Sequence, residues 1–241
     1  MKSPQTIPQQ IERFDMYTQV HKGLRAFMVD TLTAVGRIDP GNEEEVADGI
    51  VRTRALIDVC GDHLNHEERF IHPAMEGKRP GSSSVTSNDH VHHQEAFERL
   101  TSDVFILEHS ASIAGRRNAL SKLYLTLSLF VAENFQHMHV EETDNAVTLW
   151  ELYTDEQLAA IHTALVSAVA PERMVVYLRW MIPSMSHPER IRLLKGIEAT
   201  APRQVFEGVL QVAESRLSPE DWSKLADGIG LTREFESVLV S

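Results

Sequence analysis

The sequence of 241 residues predicts an all-α protein, an up-down-up-down four-helix bundle over residues 11–150 with a C-terminal helical extension over residues 155–241. Three observations lead there. Apolar residues recur at steps of three and four through four long stretches, the spacing that lines one face of a helix. No strand-like alternation of useful length interrupts them. Glycine, proline and small polar residues gather between the stretches, and connections that short favour antiparallel neighbours.

Taken in order, residues 1–10 form a polar, proline-punctuated tail. The first helix is expected from about Ile11 to Val35, with Phe14, Tyr17, His21, Leu24, Met28, Leu32 and Val35 on its stripe. Asp39-Pro40-Gly41 marks a turn. The second helix starts near Asn42 or Glu43, where acids suit the positive helix end. Its stripe runs Val46, Ile50, Thr53, Ile57, Cys60, His63, Glu67 and Ile71, and Pro73 is expected to end it before a flexible loop, Lys78 to Ser84. The third helix should begin after Ser87, a suitable cap, with His90, His93, Phe97, Leu100, Val104 and Leu107 inward. Ser110 to Arg116 reads as a turn. The fourth helix, about Asn118 to Trp150, carries Leu120, Leu123, Leu127, Phe130, Asn134, His137 and Glu141. Beyond it, shorter amphipathic segments are expected near 155–169, 171–182, 188–199, 202–216 and 219–229, bounded by Thr154, Ala170, Ser186, Thr200 and Ser218.

Four of these stripes carry polar residues at one level. His63 and Glu67 lie four positions apart, as do His137 and Glu141, so each pair shares a helix face one turn apart. Counted from the turns at ~1.5 Å per residue, the start of the first helix, end of the second, start of the third and end of the fourth meet at one end of the bundle. An unpaired carboxylate in an apolar core is costly, so buried charges are paired or bind metal. Imidazole suits iron and zinc, and carboxylates can bridge two cations. The absence of thiolate ligands argues against a structural zinc site.

Singly, these residues have plainer readings. His21 and His90 could be satisfied core histidines, and His63 with Glu67 a surface pair; their coincidence on four helices favours metal. His66, His72, His92 and His139 fall off the stripes and are read as flanking or solvent-facing, and His109, His162 and His187 as ordinary. Glu68 and Glu142 point about 100° further round and are read as solvated or as supporting the ligands. Cys60 reads as a small buried hydrophobe. Tyr17 reads as core, with a hydroxyl that could approach the site.

The formal net charge of −12 would repel phosphate backbones and anionic lipid, so neither nucleic acid nor membrane is an expected partner. One cysteine excludes an intrachain disulfide, and the first residues lack the apolar core of a signal peptide, so a cytoplasmic setting is expected. No stretch approaches the ~18 apolar residues of a membrane helix.

Four motifs together carry a resemblance to hemerythrin-like (HHE cation-binding) domains: Tyr-Thr-Gln-Val-His21-Lys-Gly-Leu-Arg, His63-x-x-x-Glu67, His90 in Asp-His-Val-His-His, and His137-x-x-x-Glu141, over about residues 12–150. The resemblance implies a non-haem di-iron centre, with zinc or manganese as substitutes. His21, His63, His90 and His137 would be terminal ligands, and Glu67 and Glu141 bridges. Oxygen-carrying members have a second histidine four positions after the third-helix ligand. Gln94 stands there in this chain, and His93 is the nearest substitute. The carriers also use an aspartate, one position later in the spacing, where this chain has Glu141. The set of four histidines and two glutamates is that of sensor-type relatives. His93, Gln94 and Tyr17 remain candidates for an additional ligand or supporting group.

Three functions stay open. The chain binds or senses a diatomic ligand, oxygen or nitric oxide, or handles iron. Alternatively it is a di-iron enzyme of oxygen, peroxide or nitric oxide chemistry or of iron–sulfur cluster repair, which would need a substrate tunnel and turnover with a reductant. Or it is a helical interaction module without metal. The apolar faces after residue 155 (Met174, Val175, Leu178, Trp180, Met181, and Val205, Phe206, Val209, Leu210) could pack on the bundle or form a homodimer surface, packing being the simpler reading.

Overall fold

The structure, a computed structural model, describes residues 13–231. Among these residues every regular element is helical and none is a strand. The polar tail and the expected start at Ile11 lie outside the described residues.

Helix α1 is Thr18–Val35, so Phe14 and Tyr17 precede it rather than lie on it. Asp15 decides this: its Oδ1 accepts the N–H groups of Tyr17 at 2.8 Å and Thr18 at 3.0 Å, occupying donors a helix leaves free at its start. Arg13 anchors the same segment, donating to Asp155 Oδ1 at 2.7 Å and to the carbonyls of Trp150 and Tyr153 at 3.0 and 2.8 Å.

Helix α2 is Glu43–His66, capped by Asn42, whose side chain accepts from the N–H groups of Glu44 and Glu45. Pro73 does not end the rod. A π-helical turn, Glu67–Ile71, continues α2 without a break and leads into α3, His72–Lys78. The N–H of His72 reaches back to Glu67 O, and Pro73 then sits in the first turn of α3, where a missing N–H costs least. The fourth rod repeats the device. Helix α5, Ile113–Val140, runs through a π-turn, Glu141–Asn145, into α6, Ala146–Leu152. α5 starts earlier than the expected Asn118 because Ser112 Oγ accepts the Gly115 N–H and draws that glycine into the first turn. Between the two rods lies α4, Ser84–Glu108. Ser87 is not its cap. Glu76 of α3 accepts from the N–H groups of Gly81 and Ser83 at 2.6 and 2.9 Å, shortening the expected loop and starting α4 four residues sooner.

The remaining helices are α7 (Asp155–Ala168), α8 (Pro171–Ser184), α9 (His187–Thr200), α10 (Arg203–Arg216) and α11 (Pro219–Ile229). Thr154 with Gln157 and Ser186 with Glu189 form reciprocal caps, and Ser218 caps α11. Thr200 closes α9 instead of opening the next helix, because Pro202 takes the capping position of α10.

α1 packs on α2 and α5, and α4 packs on α2 and α5. The core between them includes Met28, Leu56, Leu100, Leu123, Leu127 and Phe130, all essentially without exposure. α8 lies along α1, with Trp180 stacked on Phe27 at 4.4 Å between ring centres. A smaller core, Leu178, Ile182, Leu194, Phe206, Val209, Ala213 and Leu225, joins α8 to α9, α10 and α11. Leu158 of α7 closes a third cluster with Tyr17, Ile71, Met75, Ala146 and Leu149, just below the two π-turns. Among the described residues no single helix is long and apolar enough to cross a membrane.

Candidate metal centre

The inward polar residues of α1, α4 and the two π-turned rods meet in one buried cluster. It contains two groups that share their carboxylates: His21, His63, Glu67 and Glu141, and Glu67, His90, His137 and Glu141. Within each group the ligand-type atoms all lie within 4.8 Å of one another. His21 Nε2 and His63 Nε2 are 3.2 Å apart, as are His90 Nε2 and His137 Nε2. Glu67 Oε1 lies 3.1 Å from His63 Nε2, and its Oε2 lies 3.5 Å from His90 Nε2. Glu141 Oε2 lies 3.4 Å from both His21 Nε2 and His137 Nε2. Glu67 and Glu141 each open a π-turn, and such wide turns are frequent at functional sites.

The outer ring nitrogens fix the polarity of the cluster. His21 Nδ1–H donates to Glu142 at 3.1 Å, His90 Nδ1–H to Glu68 at 3.3 Å and His137 Nδ1–H to Asp89 at 3.4 Å. A neutral imidazole that donates through Nδ1 presents a lone pair at Nε2. Three of the four inner nitrogens therefore face the centre as acceptors. Both oxygens of Glu67 and both of Glu141 are buried there with no hydrogen-bond partner. A buried set of acceptors in which only His63 Nε2 is free to donate fits cations, and the nitrogen and oxygen ligand atoms suit a first-row transition metal.

The acidic doublets Glu67-Glu68 and Glu141-Glu142 thus divide their labour. The first glutamate of each faces the centre, and the second reaches a histidine on another helix. Arg25, which sequence reading did not single out, holds Glu142 through two hydrogen bonds of 2.6 and 2.9 Å. Asp89 was likewise missed, although its place beside His90 in the sequence was a usable signal.

One expectation is corrected, and the three additional candidates can be placed. His72, read as flanking or solvent-facing, is 6% exposed and stacks on the His90 ring at 4.7 Å. The extra residue in the π-turn rotates the remainder of the rod by about 100°, which turns His72 inward. Gln94 is exposed and takes no part in the cluster. His93 is buried but outside both groups, its ring 4.9 Å from that of His137. Tyr17 is 1% exposed, and its hydroxyl has no hydrogen-bond partner. Burial, with the charges of Glu141 and Glu67 nearby, holds its phenol well above the ordinary range. Cys60 is a buried hydrophobe, its thiol pushed up by burial. His66 is half-buried and His92 and His139 are exposed.

Against this geometry, comparison with known proteins gives one finding. The chain is 24% identical over 179 residues to the zinc finger protein BRUTUS-like of Arabidopsis thaliana, a stretch covering 74% of this chain. It spans only 14% of that relative's length. No family model and no solved structure matches the chain.

Protons would compete with any cation entering this cluster. Burial, reinforced by the charge of Glu67, raises the Glu141 carboxyl well above the usual range. Burial alone would lower His21, but the hydrogen bond to Glu142 and the nearby charge of Glu67 outweigh it and raise that imidazole. Metal entry at neutral pH should therefore release protons, which an unbuffered titration with a pH indicator would detect.

The metal-free fold should lose stability in mild acid. Burial lowers His93 to about 4 and His137 to about 3, from 6.5. Depressed imidazoles contribute stability that is complete above about pH 6.5 and lost as the pH falls toward their folded values. Denaturant unfolding at pH 7 and 4.5 should differ by on the order of 2 kcal/mol for each such group. The raised His21 offsets part of this, because a base held above its unfolded value stabilises the acid side.

Arg25→Ala should weaken metal binding about 10–100-fold, measured by competition with a chelator, without removing a ligand. Glu142, held near about 2 by its contacts with His21 and Arg25 against the cost of burial, would be free to turn away from His21. An affinity equal to that of the wild type would show that His21 needs no such support.

Proposed function

We propose that this chain holds two cations in a hemerythrin-like, up-down-up-down bundle formed by α1, α2 with α3, α4, and α5 with α6, and that it binds or senses a diatomic ligand there. The observation that carries the reading is the set of buried carboxylate oxygens of Glu67 and Glu141, unpartnered and flanked by imidazole nitrogens. A carboxylate left unpaired in such surroundings would cost several kcal/mol, and burial beside Glu67 raises the Glu141 carboxyl well above its usual range for that reason. Cations remove that cost, and the sharing of both carboxylates between two groups supports bridging.

In this reading His21 and His63 hold one ion, His90 and His137 the other, and Glu67 and Glu141 span both. Iron is the proposed metal, with zinc or manganese able to substitute. Iron, when bound, would supply electrons that a diatomic ligand can share. Everything else is done by the chain. Glu68, Asp89 and Glu142 orient three imidazoles through Nδ1 and raise their basicity, and apolar side chains keep water from the ligand side. The small space beside the cluster, about 10 Å³ open to the centre of a water-sized molecule, favours a ligand of few atoms over an organic substrate. The name of the Arabidopsis relative offers no alternative metal site here, because this chain has one cysteine and it is buried.

The test is elemental analysis and absorption of protein purified from iron-supplemented cells. Two metal ions per chain with a near-ultraviolet charge-transfer band are expected. Protein that emerges metal-free and cannot be loaded would leave only a helical interaction module.

A further inference from the structure

His93 has the opposite polarity to the histidines around it. Asn134 Nδ2 donates to Phe130 O at 2.9 Å, which identifies that atom as the amide nitrogen. The same nitrogen approaches His93 Nδ1 at 3.4 Å. An amide N–H can meet only a lone pair there, so the ring proton of His93 sits on Nε2. Nε2 is buried with no partner in the protein, and the residue is 4% exposed. His93 lines the small cavity beside the cluster, together with the apolar Leu24, Met28 and Phe97 and with the edge formed by His63, Glu67 and His137. The cavity thus has imidazole and carboxylate on one wall and the unpartnered N–H of His93 on another, beside the Asn134 amide and the Cys60 thiol, with hydrocarbon over the rest.

From this juxtaposition we propose that His93 is a positioning residue and not a metal ligand: its Nε2–H donates a hydrogen bond to the outer atom of a diatomic molecule lodged in the cavity against the cluster. This rests on the proposed occupation of the cluster by cations. A ligand of the metal must offer a lone pair, and Asn134 leaves His93 none at Nε2. The donor instead satisfies a ligand whose outer atom gains negative charge on binding, as nitric oxide and oxygen do when they take electron density from a metal. Unoccupied by such a ligand, Nε2–H is an unpaired buried donor, which proteins rarely keep without a use. The cavity is large enough for one small molecule and too small to offer that donor to a bulky one.

The test uses the full chain loaded with iron and reduced, with nitric oxide as the probe, comparing wild type, His93→Leu and His93→Gln. Metal content is measured first, then the rate of nitric oxide release and the infrared N–O stretch. Both variants should keep the wild-type metal content. His93→Leu should release nitric oxide about tenfold faster, the effect of one lost hydrogen bond to a charged acceptor, with the N–O stretch displaced upward. His93→Gln, whose side-chain N–H reaches a similar place, should stay within about threefold of wild type. His93→Met replaces the leucine variant should that one lose its helical signal. Loss of metal in His93→Leu would make His93 a ligand and overturn the proposal. Full metal content with unchanged release and stretch would overturn it equally. Wild-type protein that takes up no iron would instead remove the cation reading, and this inference with it, before any variant is compared.

Discussion

Glu67→Gln combined with Glu141→Gln is expected to give a helical protein that holds no metal and is more stable than the metal-free parent. Each carboxylate belongs to both four-residue groups, so the pair of changes removes the charge and one ligating oxygen of each carboxylate from both positions at once. Metal affinity should fall at least about a hundredfold, since ligand loss exceeds the 10–100-fold cost of disturbing the residues that support ligands. The gain in stability has the same origin. Burial and the charge of Glu67 make Glu141 costly to ionise, and an amide there removes that cost, which outweighs the lost attraction of His63, His21 and His90 for the Glu67 carboxylate. The amide N–H groups can also donate to the imidazole nitrogens. A rise of about 1–3 kcal/mol would move the midpoint by roughly 2–4 °C per kcal/mol for a chain of this size. Elemental analysis and thermal unfolding of both metal-free proteins would decide it. A variant that retained metal would refute the ligand assignment, and one less stable than the metal-free parent would show that the carboxylates are paired by something else.

Gly23→Ala should loosen the C-terminal helices from α1. A Cβ at Gly23 would lie 2.9 Å from the backbone nitrogen of Met181 and 3.1 Å from its Cα. No rotamer change relieves a contact with main chain, so α8 must move away. That movement separates Trp180 from Phe27 and strains the hydrogen bond of 3.2 Å from the Tyr177 hydroxyl to Val59 O. Alanine gains up to about 1 kcal/mol of helix propensity, but overpacking costs about 1–3 kcal/mol and should prevail. Gly208→Ala in α10 is the control, because nothing lies within 4 Å of its Cβ position and only the propensity gain remains. Thermal unfolding monitored by tryptophan fluorescence should show Gly23→Ala falling and Gly208→Ala rising. If both rise, α8 adjusts to α1 more freely than the contact implies.

Much of this architecture was legible in the sequence because helices print their period on it. The stripe that carries Leu24, Met28 and Leu32 also carries His21, and the stripes of the two π-turned rods carry His63 with Glu67 and His137 with Glu141. The helix boundaries at Asn42, Thr154, Ser186 and Ser218 came from local chemistry, since a side-chain oxygen serving free N–H groups needs no distant partner. Helix starts failed where a distant or unexpected side chain intervened. Asp15 delayed α1, and Glu76 advanced α4.

What the sequence determined by itself is which side of its own helix each residue occupies, and so which imidazoles and carboxylates turn away from water. What only the tertiary structure decided is who faces whom: the pairing of His21 with His63 and of His90 with His137, the reach of Glu68, Asp89 and Glu142 to histidines on other helices, and the inward turn of His72. A periodic pattern is a property of one rod with a constant angle per residue. The π-turns break that angle, and the separation of side chains on different rods is set by packing, which no single stretch of chain encodes.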